Sequence, residues 1–287
     1  MVRVQYAFGF LNVSIVREWH GKRLNDMNSD EIDIFTRQGA VSASLIPGAR
    51  RVVPGGSYNG HVGDAVFVDI AAGVLAVADG PDKNPTASSR FLKRFVTEVI
   101  DTFCADGERI AVGDRFDDIV TRTNELVKEA DYHDSTTFSA LMFGSDRHAI
   151  LFHTGDSLVY ALSPDTGEVK QLSRTNHFLI GRSPHLFQTE LISLDDQNIV
   201  VLCTDGITDL ARSHGLNTAD FIARHVARPQ DIGCPHRISR RIAALVEAAH
   251  SRFDDIGLVV ARPALMNPGD EENTGERAFL MDRSLSV

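Results

Sequence analysis

The chain has 287 residues and a mass of 31.5 kDa; 43% of its residues are hydrophobic and 24% are charged, as in an ordinary globular protein. Its formal charge of −10 and its pI near 5.5 argue against nucleic acid or an anionic membrane surface as the main partner, because both would repel it. The three cysteines lack paired spacing, and the sequence shows no membrane-length apolar run or signal pattern, so a cytoplasmic protein is predicted.

The first regular pattern appears well inside the chain. Residues 1–38 are mixed in character and are predicted to be an N-terminal extension. The alternating segment Val41–Ile46 predicts the first strand of a domain that spans residues 39–262. Residues 263–287 carry Pro, Gly and Glu and are predicted to be a polar C-terminal tail.

The domain contains two blocks of predicted strands, each followed by predicted helices. Apolar side chains at helical spacing predict helices at about Thr86–Phe103, Asp114–Ala130, Asn217–Arg228 and Ile238–Ala249. Asn84 and Pro85 are predicted to cap the first helix and to occupy its first turn. Later strands are predicted at Thr136–Phe143, Ala149–His153, Ser157–Leu162, Val169–Leu172, Leu191–Leu194, Ile199–Cys203 and Ile256–Ala261. This order predicts an α+β fold, a four-layer αββα sandwich of two antiparallel sheets flanked by helices.

Four aspartates lie at the edges of short apolar runs that have the length of strands. They are Asp64, Asp79, Asp205 and Asp254. A single Asp-Gly pair after such a run is commonly only a turn, because Asp caps its own backbone and Gly accepts positive φ. Here the pattern recurs from distant parts of the chain. Carboxylates held at strand ends can form an oxygen-rich site for Mg²⁺ or Mn²⁺, which predicts a metal-dependent hydrolase.

The motifs around these aspartates resemble those of the PPM (type 2C) family of metal-dependent serine/threonine protein phosphatases, in particular its bacterial members. The matching segments are Gly63–Val68, Val77–Gly80, Ser135–Thr137, Thr154–Ser157, Leu202–Asp209 and Asp254–Val260. The resemblance covers about residues 40–262, in the order that the family shows. It implies a signalling hydrolase whose substrate is a phosphorylated protein.

The resemblance also implies a role for each residue of the site. It implies two Mn²⁺ or Mg²⁺ ions, with direct attack of a metal-bridging water on phosphoserine or phosphothreonine. Asp79 would bridge both metals, the Gly80 carbonyl would add a ligand, Asp205 and Asp254 would bind one metal, Asp64 would contribute from the other side, and Asp156 and Asp209 would bind a third, weaker metal.

Several positions depart from the family pattern. The segment Pro81–Pro85 replaces an expected Gly-Gly, and Asn59 stands where an arginine usually grips phosphate; Arg50 and Arg51 are the candidate substitutes. These departures leave open an alternative, a phosphatase-fold binding or regulatory module with little or no activity. Against that alternative stand the retained aspartates, because clustered carboxylates repel each other unless a cation binds them.

Two other hydrolase classes are alternative interpretations of the same sequence, and both have less support. Gly155–Leu158 spells the Gly-Asp-Ser-Leu signature of a lipase family with a serine nucleophile, but it lies in the middle of the chain. At the spacing where that family carries Asp before its last histidine, His250 is preceded by Glu247. The histidines form no zinc-binding pattern, and His153 and His177 are predicted to be structural or surface groups.

Overall fold

The structure is a computed structural model. It describes residues 13–15, 33–37, 40–46, 62–81, 83–104, 109–194, 198–228, 231, 236–249, 254–266 and 276–281. The described strands, in chain order, are β1 (Val13–Ile15), β2 (Asp33–Arg37), β3 (Val41–Ile46), β4 (Asp64–Asp69), β5 (Val74–Asp79), β6 (Phe138–Phe143), β7 (His148–Thr154), β8 (Leu158–Leu162), β9 (Val169–Gln171), β10 (Gln188–Ser193), β11 (Ile199–Cys203), β12 (Ile256–Ala261) and β13 (Glu276–Leu280).

These strands form two sheets. Within the described residues, sheet A has the order β1-β13-β4-β5-β6-β7-β10 and sheet B has the order β2-β3-β12-β11-β8-β9. Neighbouring strands are antiparallel, except that β1 runs parallel to β13. The strand pairs β4–β5 and β11–β12 lie in the interior of their sheets, which places the ends of four aspartate-bearing segments on rigid backbone.

The helices cover the outer faces of the sheets. They are α1 (Ala87–Phe95), α2 (Asp101–Phe103), α3 (Phe116–Glu129), α4 (Gly206–Ser213), α5 (Thr218–Phe221) and α6 (His236–Ala248). A π-helical turn, Val96–Ile100, joins α1 to α2, so the first predicted helix is confirmed as one continuous element. Its predicted cap is wrong: the N-cap residue is Thr86, and Asn84 lies in the preceding turn, where its backbone carbonyl accepts from Ala87 N. None of the described helices combines the length and the apolar character that a membrane span needs.

Side-chain alternation along the strands explains why the layers stack. In β4, Ala65 and Phe67 pack under α1 and α3, whereas Val66 and Val68 face the other sheet. Strand β11 divides its side chains in the same way between the α4–α6 layer and the space between the sheets. Three buried apolar layers result, one on each side of every sheet, which confirms the predicted αββα sandwich.

Strands from both flanking segments of the chain join the sheets. Strand β2, within residues 1–38, pairs with β3, and β13, within residues 263–287, pairs with β4. In β13, Ala278 and Leu280 are buried. Arg277 donates to Asp69 at 2.7 Å and to Asp101 at 2.8 Å. The division into an extension, a domain and a tail stays a prediction, but these strand segments belong to the packed sandwich.

A buried histidine in sheet A predicts how stability depends on pH. Nε2 of His153 lies 3.0 Å from the Arg174 carbonyl, which can only accept, so Nε2 carries the proton and Nδ1 accepts from the Ser139 hydroxyl at 2.8 Å. Burial lowers the pKa of His153 to about 4 from 6.5. The unfolded chain therefore binds this proton at a higher pH than the folded protein, and the folded protein loses stability as the pH falls from about 6.5 to about 4.

We expect this loss to be smaller when the histidine is replaced. The contribution of His153 to the free energy of unfolding should fall by roughly 2–3 kcal/mol across that window. Urea denaturation of the wild type and of His153→Gln at several pH values gives, for each protein, the slope of the free energy of unfolding against pH. Parallel slopes would show that His153 titrates at an ordinary pKa in the folded protein.

Candidate metal centre

Asp64 and Asp79 face each other across the central strand pair of sheet A. In the antiparallel register of β4 and β5, Asp64 lies opposite Asp79. Asp64 begins one strand and Asp79 ends the other, so both carboxylates lie at the same edge of the sheet. Both segments were predicted as aspartate-bearing strand ends, and the structure brings these two predicted residues together.

Asp64 also links the two sheets. Its Oδ2 accepts hydrogen bonds from the Thr204 hydroxyl at 2.6 Å and from the Gly257 N–H at 2.7 Å. Thr204 follows β11 and Gly257 belongs to β12, so both donors come from sheet B. The side chain of Asp64 is almost fully buried, at 2% exposure. This carboxylate is therefore held in one orientation between the sheets.

The adjacent residues Asp254 and Asp255 occupy different environments. Asp255 is buried, and its Oδ2 accepts from the Gly63 N–H at 3.0 Å, which ties the entry to β12 to the entry to β4. Asp254 is exposed, and its Oδ1 accepts from the Asp255 N–H at 2.8 Å. Asp254, the predicted ligand, thus lies on the open side of the centre, while Asp255 supports the backbone around it.

Three carboxylates form the core of the centre. One oxygen each from Asp79, Asp156 and Asp205 lies within 4.8 Å of the other two. Asp205 Oδ1 is buried and has no hydrogen-bond partner among the described residues. Asp205 precedes α4, yet its side chain does not cap that helix. A buried carboxylate oxygen without a donor, next to two more carboxylates, fits a site for a cation.

The backbone around Asp156 requires a glycine at the preceding position. Gly155 has φ of +100°, and a Cβ there would lie 2.7 Å from the side chain of Thr137. The same Thr137 hydroxyl accepts from the Asp79 N–H at 3.0 Å and contacts the Ser157 hydroxyl at 2.6 Å. Thr137 therefore fixes Asp79 directly and fixes Asp156 through both of its neighbours.

Burial and mutual repulsion raise the pKa values of the carboxylates in the centre. Burial, reinforced by the charge of Asp255, raises the pKa of Asp64 well above its usual value. Burial and then the charge of Asp64 raise the pKa of Asp79 in the same direction. Burial, followed by the charge of Asp156, raises the pKa of Asp205 to about 7. Bound cations would relieve all of these repulsions.

The remaining predicted site residues lie around this core or outside the described residues. Asp209 lies on α4, outside the group of three carboxylates, and its Oδ1 accepts from Arg212 at 2.8 Å. Gly80 follows Asp79 directly, and its N–H donates to the Gly63 carbonyl. The predicted phosphate-binding residues Arg50 and Arg51 lie outside the described residues, as does Asn59.

The serine of the lipase-like signature is unsuited to nucleophilic attack. Ser157 has 0% exposure, and its hydroxyl contacts Thr137. Its environment is that of a structural group inside the sandwich. The two described cysteines, Cys104 and Cys203, are buried as well.

Sequence reasoning missed several residues that support the centre. Thr137 and Thr204 lie inside motifs that the sequence pointed to, so their hydroxyls could have been considered as donors or acceptors. Asn176 offers no such signal. It lies between β9 and β10, where its Oδ1 accepts from the Gly155 N–H at 2.9 Å and its own N–H donates to the Gly155 carbonyl at 2.9 Å.

Comparison with solved structures shows the same fold in bacterial phosphatases. The SiaA-PP2C domain of Pseudomonas aeruginosa aligns with a TM-score of 0.54 and 19% identity over 78% of this chain and 86% of that chain. The Mycobacterium tuberculosis serine/threonine phosphatase PstP/Ppp aligns with a TM-score of 0.51 and 18% identity over 77% and 97%. The catalytic domain of PstP in complex with two manganese ions aligns with a TM-score of 0.50 and 18% identity over 77% and 96%. At these identities the likeness shows the fold alone.

A search of curated proteins finds no match. A family model, described as "Stage II sporulation protein E (SpoIIE)", matches residues 74–264, a range that begins with β5 and extends past β12. That range includes Asp79, Asp156, Asp205 and Asp254, and the sandwich that carries them is the one found in the bacterial phosphatases. This chain therefore belongs to the SpoIIE family and has the PP2C-type phosphatase fold.

Proposed function

We propose that this protein is a metal-dependent phosphatase that hydrolyses phosphoserine or phosphothreonine on proteins. The observation that carries the proposal is the group of Asp79, Asp156 and Asp205, with one buried oxygen of Asp205 left without a hydrogen-bond partner among the described residues. Asp64 lies opposite Asp79 in the strand register. Family membership and the fold support the same conclusion.

The donor set suits hard cations. All the proposed ligands are oxygen atoms, which favours Mg²⁺ or Mn²⁺ over zinc. Two ions would be held by Asp64, Asp79, Asp205 and Asp254 with the Gly80 carbonyl, and a third by Asp156 and Asp209. When bound, such ions supply an activated water and neutralise the charge that develops on the phosphoryl oxygens.

The chain's own residues would hold this centre in a fixed shape. Thr137 and Thr136 hold the backbone of Asp79, with Thr136 Oγ1 donating to the Asp79 carbonyl at 2.7 Å. Thr204 holds the carboxylate of Asp64 from the opposite sheet. The Thr204 contact joins the two sheets, and the Thr136 and Thr137 contacts hold Asp79 within sheet A. Because the carboxylates are held in this way, they do not have to reorganise when a phosphorylated side chain enters.

The burial of the serine and cysteine side chains near the centre supports direct hydrolysis, without a phosphorylated enzyme. Ser157 directly follows Asp156, and Cys203 lies two residues before Asp205. Both side chains have 0% exposure. Burial also raises the pKa of the Cys203 thiol, which keeps it protonated and unreactive. Neither residue offers a nucleophile to a phosphoryl group.

The test is release of inorganic phosphate from p-nitrophenyl phosphate and from a phosphothreonine peptide by purified protein with Mn²⁺. We expect steady release from both, with no phosphate retained on the protein. A phosphorylated protein intermediate would contradict the direct mechanism. Binding of Mn²⁺ with no phosphate release would instead favour the regulatory module, in which the centre is kept but turnover is lost.

A further inference from the structure

Exposed aromatic side chains concentrate beside the candidate metal centre. Among the described residues, five large apolar side chains are exposed, and three of them lie on or against the loop between β9 and β10. These are Tyr132 at 67% exposure, Phe178 at 49% and Phe187 at 40%. Together with the exposed Arg174 and Arg182 of the same loop, they form what we call the aromatic–arginine surface.

The side chains of this surface are ordered by contacts with one another. The rings of Phe178 and Phe187 stack with centroids 5.5 Å apart and an interplanar angle of 19°. The Arg174 guanidinium lies 6.0 Å from the Phe187 centroid. Arg182 lies 4.9 Å from the Tyr132 centroid and donates to the Tyr132 hydroxyl at 3.3 Å. Exposed aromatic and arginine side chains with this degree of order are typical of binding surfaces.

The loop that carries this surface is attached directly to the centre. Asn176 and Gly155 exchange hydrogen bonds, and the Thr154 hydroxyl donates to the Phe178 carbonyl at 3.2 Å. Ile180 forms a β-bridge with Thr136, whose hydroxyl donates to the Asp79 carbonyl. A polypeptide bound on the loop would therefore lie next to the backbone that carries Asp156 and Asp79.

The charge of the surface differs from that of the whole chain. Arg174 pairs with Glu190, but Arg182 has no carboxylate within ion-pair distance among the described residues. This cation is exposed in a chain of formal charge −10. It lies beside apolar rings. The chemistry that complements it is an acidic side chain next to an apolar one.

We propose that the aromatic–arginine surface binds the polypeptide that flanks the phosphorylated residue of the substrate, and that it favours an acidic residue next to an apolar residue. This inference rests on the proposed phosphatase function and adds the class of protein substrate. The stacked phenylalanines receive the apolar side chain, and Arg182 receives the acidic one. The rigid attachment of the loop sets the distance from this contact to the carboxylates.

The experiment compares two variants with a matched control. Phe178→Ala/Phe187→Ala removes the stacked rings, and Arg182→Glu reverses the charge. Leu265→Ala is the control, because Leu265 is equally exposed, at 50%, but follows β12 and lies outside the β9–β10 loop. The substrates are a phosphothreonine peptide flanked on both sides by Phe and Asp, the same peptide with Lys in place of Asp, and p-nitrophenyl phosphate.

We expect the double variant to raise KM for the Phe/Asp peptide by about five- to tenfold, with kcat and the hydrolysis of p-nitrophenyl phosphate unchanged. Arg182→Glu should reverse the preference between the Asp and Lys peptides. The Leu265→Ala control should match the wild type with every substrate. An unchanged peptide KM in both surface variants would overturn the proposal. An equal loss with p-nitrophenyl phosphate would show that the loop only supports the centre.

Fluorescence anisotropy of the labelled Phe/Asp peptide separates this proposal from the proposed function. Peptide binding that weakens in the surface variants would support the docking surface even if no phosphate were released. Phosphate release with unaltered peptide affinity would support the phosphatase and exclude the surface. If the double variant instead converted a dimer to a monomer in sedimentation experiments and left peptide affinity unchanged, the surface would bind a second copy of the chain.

Discussion

Replacement of Asp79 or Asp205 with asparagine is expected to lower kcat/KM for p-nitrophenyl phosphate by at least about 1,000-fold, which corresponds to ~4 kcal/mol of transition-state stabilisation. Each substitution removes a proposed metal ligand from the group that also contains Asp156. In metal-free protein the same substitutions should leave the free energy of unfolding unchanged or slightly higher. The raised pKa values of both residues show that burial and neighbouring carboxylates disfavour their charged forms. Asparagine carries no charge, so the substitution removes that repulsion.

The measurements are steady-state kinetics with Mn²⁺ and urea denaturation in EDTA. Asp165→Asn is the matched control, since Asp165 is an exposed aspartate between β8 and β9. It should keep wild-type activity and stability. A variant at position 79 or 205 that unfolded, but kept a normal rate per folded molecule, would assign these aspartates a structural role only.

Removal of divalent metal is expected to abolish activity, and Mn²⁺ or Mg²⁺ should restore it. The carboxylates of the centre repel one another without a cation, so binding should also stabilise the fold. At a Mn²⁺ concentration about 100 times the dissociation constant, the gain is about 2.7 kcal/mol, or roughly 5–10 °C in Tm. Because burial raises the pKa of Asp205 to about 7, protons compete with the metal and affinity should fall as the pH drops below that value.

Differential scanning calorimetry with and without Mn²⁺ measures the shift, and titration at pH 6 and pH 8 measures the competition. Asp165→Asn should show the full shift, whereas Asp205→Asn should lose most of it. Full activity in a metal-stripped sample, or an equal shift in both variants, would contradict a metal centre at these residues.

Local patterns in the sequence predicted most of the secondary structure near the centre. Apolar alternation and β-branched composition predicted β4, β5, β11 and β12, each with an aspartate at one end or two residues beyond it. The apolar stripes of α1 and α3 were read correctly, because a helix that packs on a sheet needs one continuous apolar face. Asn217 begins the third predicted helix and is the N-cap of α5, where its Oδ1 accepts from the Asp220 N–H at 2.8 Å.

Helix α4 is an element that the local pattern did not predict. No helix was predicted between Cys203 and Asn217, where an Asp-Gly pair is commonly a turn signal, but Gly206 begins a helix. A Cβ at Gly206 would lie 2.2 Å from the Asp255 carbonyl, so the glycine is required by the close approach of β12. That reason depends on a segment almost fifty residues away in the chain, which local propensity does not describe.

The sequence by itself determined the fold class, the strands that end in aspartates and the residue types that suit Mg²⁺ or Mn²⁺. It did so because periodicity and ligand chemistry are properties of short segments. Only the tertiary structure decided which carboxylates meet, that β2 and β13 complete the sheets, and that Asp64 is held by Thr204. The hydrogen bond between Gly63 and Asp255 joins residues 192 positions apart. Contacts of that kind follow from the packing of two sheets, and a strand's own sequence shows which face is buried but not which strand lies beside it.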